Sequence, residues 1–122
     1  MLEIIPKPLC RGVIPTGSSV ICSPPVLDTD RDYIYCVSSL EKAKIFLNGV
    51  GFKTSTQDAE EYYIQEEGLF ECYRKDNINL ILTEDFDFYL KWCHATELAT
   101  KLNLLDKKQR ITLFKYILYD TL

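Results

Sequence analysis

Three carboxylates, Asp28, Asp30 and Asp32, alternate with other residues immediately ahead of an apolar run, Tyr33-Ile34-Tyr35-Cys36-Val37. Residues two apart on a strand point to the same face, so Asp30 and Asp32 are aimed at one place. Facing carboxylates repel unless a positive charge sits between them, and Mg²⁺ with oxygen ligands is the usual answer. Upstream lies a small-residue turn, Gly17-Ser18-Ser19, and a loop carrying Pro24 and Pro25. Asp28, Asp30 and Asp32 are therefore the candidate metal ligands.

The pairing of Gly17-Ser18 with Asp30-Arg31-Asp32-Tyr33 resembles the signature of the nucleotidyltransferase superfamily that includes DNA polymerase beta and the minimal nucleotidyltransferases. Asp28-Thr29-Asp30-Arg31 also fits the spacing, but there the second acid precedes a charge rather than an apolar strand residue. Asp30 and Asp32 are the preferred pair. The longer pattern, through Asn79-Leu80-Ile81-Leu82-Thr83 and Phe88-Tyr89-Leu90-Lys91-Trp92, is similar to small nucleotidyltransferase-like proteins encoded by bacteriophages.

The resemblance implies a division of labour. Gly17, Ser18 and the adjoining Ser19 would hold the phosphates of a nucleoside triphosphate (NTP), because glycine permits close approach and exposed N–H groups match anionic oxygens. Asp30 and Asp32, helped by Asp28, would bind Mg²⁺ or Mn²⁺ for an in-line displacement. Active relatives carry a third carboxylate on a later strand of the sheet. The matching stretch here, Ile78-Asn79-Leu80-Ile81-Leu82, has no acid, and Asn79 is its one polar residue. Asparagine coordinates through its carbonyl oxygen but brings no negative charge and no base. Asp28, Glu84 or Asp85 are the acids that could compensate.

The composition narrows the partners. A chain of 122 residues with 47% hydrophobic and 26% charged residues is expected to form one domain over 1–122. A net charge of −4 provides no global field for non-specific DNA binding. Five cysteines without a C-x-x-C pair, and one histidine, argue against a zinc site and a disulfide framework. The thiols read as reduced and largely buried, which with no signal peptide or membrane-length apolar run predicts a cytoplasmic protein, in the host cytoplasm if phage-encoded.

The elements follow from periodicity and punctuation. Gly12-Val13-Ile14-Pro15 predicts a short strand ending at Gly17, residues 19–29 a loop, and residues 32–37 a strand. Ser38 or Ser39 caps a helix with Leu40, Ala43, Leu47 and Val50 as its apolar face, stopped by Gly49 and Gly51. The Gly-Val-Gly there reads as a helix end, not a nucleotide loop. Residues 52–67 predict a loop, with a weak edge strand at Tyr62–Ile64. Phe70–Arg74 and Ile78–Thr83 form a hairpin about Lys75-Asp76-Asn77.

After a cap at Thr83 or Asp85, Phe88, Trp92, Ala95, Ala99 and Leu102 mark one helix, and Ile111, Phe114 and Leu118 a second. His94 falls on the solvent side. Lys107, Lys108 and Arg110 read as a solvated helix start, and Tyr62, Tyr63 and Tyr73 as either sheet packing or a partner face. The sum is an α+β fold: a small mixed sheet packed with helices, a nucleotidyltransferase-like core and two C-terminal helices.

Two functions follow. The first is a minimal nucleotidyltransferase that passes a nucleoside monophosphate from an NTP to a hydroxyl of a protein, RNA or small molecule, with no membrane involvement. The second, motivated by Asn79, is a catalytically degenerate phage-type binding protein that inhibits or redirects a host protein.

Overall fold

The computed structural model describes residues 4–21, 31–55, 70–104 and 106–119. Among these, a single five-stranded sheet has the order β1-β2-β5-β4-β3. The strands are β1 (Cys10–Thr16), β2 (Arg31–Val37), β3 (Lys53–Ser55), β4 (Glu71–Lys75) and β5 (Ile78–Thr83). The helices are α1 (Ser18–Ile21), α2 (Leu40–Gly49), α3 (Phe86–Lys101) and α4 (Lys107–Tyr119). The fold is α+β with two C-terminal helices, as the periodicity predicts.

Burial explains the arrangement. β2 and β5 run parallel at the centre, where Ile34 to Val37 and Asn79 to Thr83 are buried, while the β1–β2, β4–β5 and β3–β4 pairs are antiparallel. Strands buried on both faces read as continuous apolar runs rather than alternating ones. On one face Ile34, Cys36, Cys72 and Ile81 pack with Phe88, Trp92, Ala95, Ala99, Phe114 and Leu118 of α3 and α4. On the other, Tyr35, Val37, Tyr73, Leu80 and Leu82 pack with Ala43 and Leu47 of α2 and with Ile5.

The caps match the sequence chemistry. The Ser39 hydroxyl accepts from the Lys42 amide at the start of α2, and Asp85 accepts from the Phe88 amide at the start of α3. Thr83 accepts from the Asp85 amide, so both expected capping residues are used. Asp106 accepts from Lys108 and opens α4. Gly51 takes φ +96° just beyond α2, a left-handed stop that suits glycine. Asp76, at φ 55°, turns the β4–β5 hairpin.

Four expectations are corrected. A short helix, α1, replaces the start of the loop predicted from residue 19, and its Ile21 is buried in the core under α3. Lys53–Ser55 pairs with β4 as an edge strand where a loop was expected. Val50 is exposed because it is the residue that ends α2, not part of its buried face. Leu102 is exposed because α3 ends at Lys101, so the apolar stripe stops at Ala99. The predicted edge strand at Tyr62–Ile64 lies outside the described residues.

Candidate functional site

Register and strand parity assemble the site. Thr16 pairs with Asp32 across β1–β2, Asp32 with Asn79 across β2–β5, and Asn79 with Arg74 across β4–β5. The next line on the same face is Ile14–Ile34–Ile81–Cys72. That line lies in or against the core beneath α3 and α4, as its residues do. The sheet face thus changes from apolar to polar at one end, and four side chains (Thr16, Asp32, Asn79, Arg74) stand in a row across it. Strands about 4.8 Å apart give this row a span of roughly 14 Å.

Gly17 turns the chain at the end of that row. Its φ is +80°, and a Cβ built on it would fall onto Oδ2 of Asp32. Only a residue without a side chain lets the backbone lie this close to the carboxylate. The Gly17 carbonyl accepts from the Val20 and Ile21 amides, which closes the turn. On its other side, Asp32 accepts at Oδ1 from Nδ2 of Asn79, 3.0 Å away. Asn79 is wholly buried and Asp32 half-buried.

The turn is tied to α3 by buried polar groups. Trp92 donates its indole N–H to Thr16 Oγ1 at 3.1 Å, and the Thr16 and Thr96 hydroxyls are 2.7 Å apart. Thr96 donates its own proton to the Trp92 carbonyl at 2.9 Å. With that proton committed, Thr16 must be the donor between the two hydroxyls.

The site residues expected from the sequence divide as follows. Gly17 and Asp32 come together. Ser18 and Ser19 enter α1 directly after Gly17, and no more is described of them than their backbone. Asp28 and Asp30 lie outside the described residues. Asn79 stands opposite Asp32, where the third carboxylate was expected.

Glu84 and Asp85 cannot replace that carboxylate. They follow the far end of β5, roughly 16–20 Å along the chain direction from Asn79. Both have other work: Glu84 accepts from the Leu40 amide at the start of α2, and Asp85 caps α3. Among the described residues no three His, Cys, Asp or Glu side chains gather closely enough to hold a metal.

Sequence reasoning passed over Thr16 and Arg74. Arg74 was readable, since a two-residue hairpin turn at Asp76-Asn77 sets Arg74 against Asn79. Thr16 was not, because its partners lie 76 and 80 residues away.

The other candidates resolve into structural roles. Phe88 and Trp92 are core, Trp92 stacking edge-on with Phe70 and Phe114. His94 is exposed, near the Glu97–Lys101 ion pair on the same solvent side of α3. Arg110 donates to the Leu104 carbonyl and so helps fasten the α3–α4 connection. Tyr73 is buried and donates to Glu71; burial and that carboxylate hold its hydroxyl well above the ordinary tyrosine range. A shallow groove on α4, lined by Lys108, Gln109, Thr112, Leu113 and Tyr116, shares no residue with the polar row. Among the described residues no helix is long and apolar enough to cross a membrane.

No protein-family model matches the chain, and neither does any curated protein. Among solved structures, the conserved protein GrpB from Enterococcus faecalis is similar with a TM-score of 0.60 at 14% identity, over 98% of this chain and 87% of that one. The phage likeness has no counterpart in these comparisons. At this identity the likeness speaks for architecture and leaves chemistry to the residues: the chain has a mixed α+β fold similar to that of GrpB.

Proposed function

We propose that the polar row is the working centre of a minimal nucleotidyltransferase, which transfers a nucleoside monophosphate from an NTP to a hydroxyl of a protein, RNA or small molecule. The observation that carries this reading is the contact between the Gly17 backbone and the Asp32 carboxylate. A phosphate needs close backbone approach, and a phosphate-bound cation needs a carboxylate beside it; the two features meet at Gly17 and Asp32.

Mg²⁺ binds through one or two carboxylates together with substrate phosphates, so Asp32 with Asp30 two residues ahead suits Mg²⁺ or Mn²⁺. Such a cation supplies charge neutralisation and orientation of the reacting groups. The chain's own contribution is positional: Gly17 holds phosphate oxygens, Asp32 fixes the metal-facing side, and Asn79 holds Asp32 in place. In the transfer, the acceptor oxygen bonds to the α-phosphorus, pyrophosphate departs with the electrons of the broken P–O bond, and the acceptor proton leaves to solvent or a carboxylate. Arg74 at the far end of the row adds positive charge suited to a polyanion.

The test is labelling of the full chain and candidate acceptors with radioactive NTPs. Metal-dependent labelling should disappear in the Asp30→Asn/Asp32→Asn double variant while the circular-dichroism spectrum is retained. Labelling that persists in the double variant rejects the site.

The Asn79–Asp32 hydrogen bond favours a second reading. An amide already satisfies the acid that a second metal ligand would face, which suits a catalytically silent protein that binds a host partner. Stoichiometric capture of one host protein, equal for wild type and the double variant and without NTP or Mg²⁺ binding by calorimetry, supports this alternative.

A further inference from the structure

We infer that Thr16, Trp92 and Thr96 form a positioning device for the Gly17 turn, and through it for the Asp32 carboxylate. The inference rests on the reading of Gly17 as the phosphate-holding turn. It adds three residues that touch no substrate.

The argument begins with where Thr16 stands. It is 1% exposed, the last residue of β1, the register partner of Asp32 and the neighbour of Gly17. Inward on the same sheet face, Ile14, Ile34 and Ile81 hold the sheet to α3 and α4 by apolar packing. At Thr16 the face turns polar and packing alone no longer fixes the strand end. Hydrogen bonds take over, and their direction is settled by the donor inventory. The indole N–H of Trp92 goes to Thr16, the Thr16 proton to Thr96, and the Thr96 proton to the Trp92 carbonyl.

No donor in this circuit is spare, so neither hydroxyl can rotate without leaving a buried polar group unmatched. Threonine is also stiff at χ1, which carries the constraint from the hydroxyl to the backbone. The next residue is Gly17, whose backbone lies against Asp32 with no room for a Cβ. A displacement of Thr16 therefore moves the turn, and the turn moves the carboxylate off Asn79. The buried Ile21 anchors the other end of the turn beneath α3, so the segment is fastened on both sides of the candidate phosphate position.

The experiment compares isotopically labelled wild type with Thr16→Val, Thr16→Ser and Thr96→Ala. Thr16→Val keeps the shape and removes the hydroxyl, Thr16→Ser keeps the hydroxyl, and Thr96→Ala cuts the same circuit from α3 should Thr16→Val not fold. Two readouts are taken: the backbone amide of Gly17 and side-chain amide of Asn79 by NMR, and calorimetric affinity for α,β-methylene-ATP with Mn²⁺.

The expected result is displaced Gly17 and Asn79 resonances in Thr16→Val and Thr96→Ala, with at least a tenfold loss of analogue affinity. Thr16→Ser should return both close to wild type. Unmoved Gly17 and Asn79 resonances in the folded variants overturn the positioning role, as does a Thr16→Ser protein no better than Thr16→Val. A wild type that binds no analogue rejects the nucleotidyltransferase reading instead, and the resonances still decide whether the circuit positions the turn.

Discussion

The side-chain amide of Asn79 donates a 3.0 Å hydrogen bond to Oδ1 of Asp32, its register partner across the parallel β2–β5 pair. Asparagine and aspartate have nearly the same shape, so the strand geometry here would accept either. What differs is charge. The amide turns a place where a second acid facing Asp32 would call for a cation into one where Asp32 receives a hydrogen bond instead.

Asn79→Asp should therefore create a metal requirement for stability. Without divalent cation, two carboxylates facing each other at this distance repel and raise the pKa of one of them. The lost hydrogen bond and the repulsion should cost about 1–3 kcal/mol at neutral pH. Added Mg²⁺ or Mn²⁺ binds the folded form and recovers the loss, because a ligand bound only to the native state stabilises it. Thermal melts with and without millimolar metal check this. A variant whose melting temperature ignores both ions would show that Asn79 does not face a cation position.

Gly17→Ala and Gly51→Ala separate backbone strain from collision. Both glycines have positive φ, +80° and +96°, so both substitutions should cost about 1 kcal/mol or more from backbone conformation alone. At Gly51 an added Cβ meets Lys75 Cε at an ordinary 3.4 Å, whereas at Gly17 it falls onto Asp32 Oδ2. Gly17→Ala should then lose roughly 1–3 kcal/mol beyond Gly51→Ala. Urea denaturation measures the difference. Equal losses at the two positions would mean that the Gly17–Asp32 contact is easily relieved.

Much of this arrangement was legible in the chain because it depends on local rules. β2 announces itself through Tyr33 to Val37, α2 and α3 through Ser39 and Asp85, and the hairpin through Asp76-Asn77. The pairing of Asn79 with Asp32 follows once β5 is recognised as the strand beside β2. What stayed hidden depends on distant partners or on very few residues. β3 is three residues long and owes its existence to β4, and α1 is a single turn held by the burial of Ile21. Thr16 reads as an ordinary strand residue until α3 is folded over it. Leu102 misleads because helical periodicity does not reveal where the helix stops.

The same burial that hides these residues sets the alkaline limit of the fold. Burial pushes the thiols of Cys10, Cys36 and Cys93 above their ordinary 9.0, and the hydroxyl of Tyr35 from 10.0 up to about 12. Burial also raises Tyr89 and, together with Glu71, Tyr73. Each group keeps its proton longer folded than unfolded. Stability is therefore fully present below the unfolded pKa and is lost as pH rises through the window up to the folded one. The urea midpoint should be insensitive to these groups near neutrality, begin to fall above about pH 9 as unfolded thiols ionise, and fall faster above about pH 10 as unfolded tyrosines follow. Tyrosine absorbance should show a late-titrating fraction that normalises in urea. A midpoint that climbs across this range, or tyrosines that all titrate near their free value in the folded chain, would contradict the packing of the two cores.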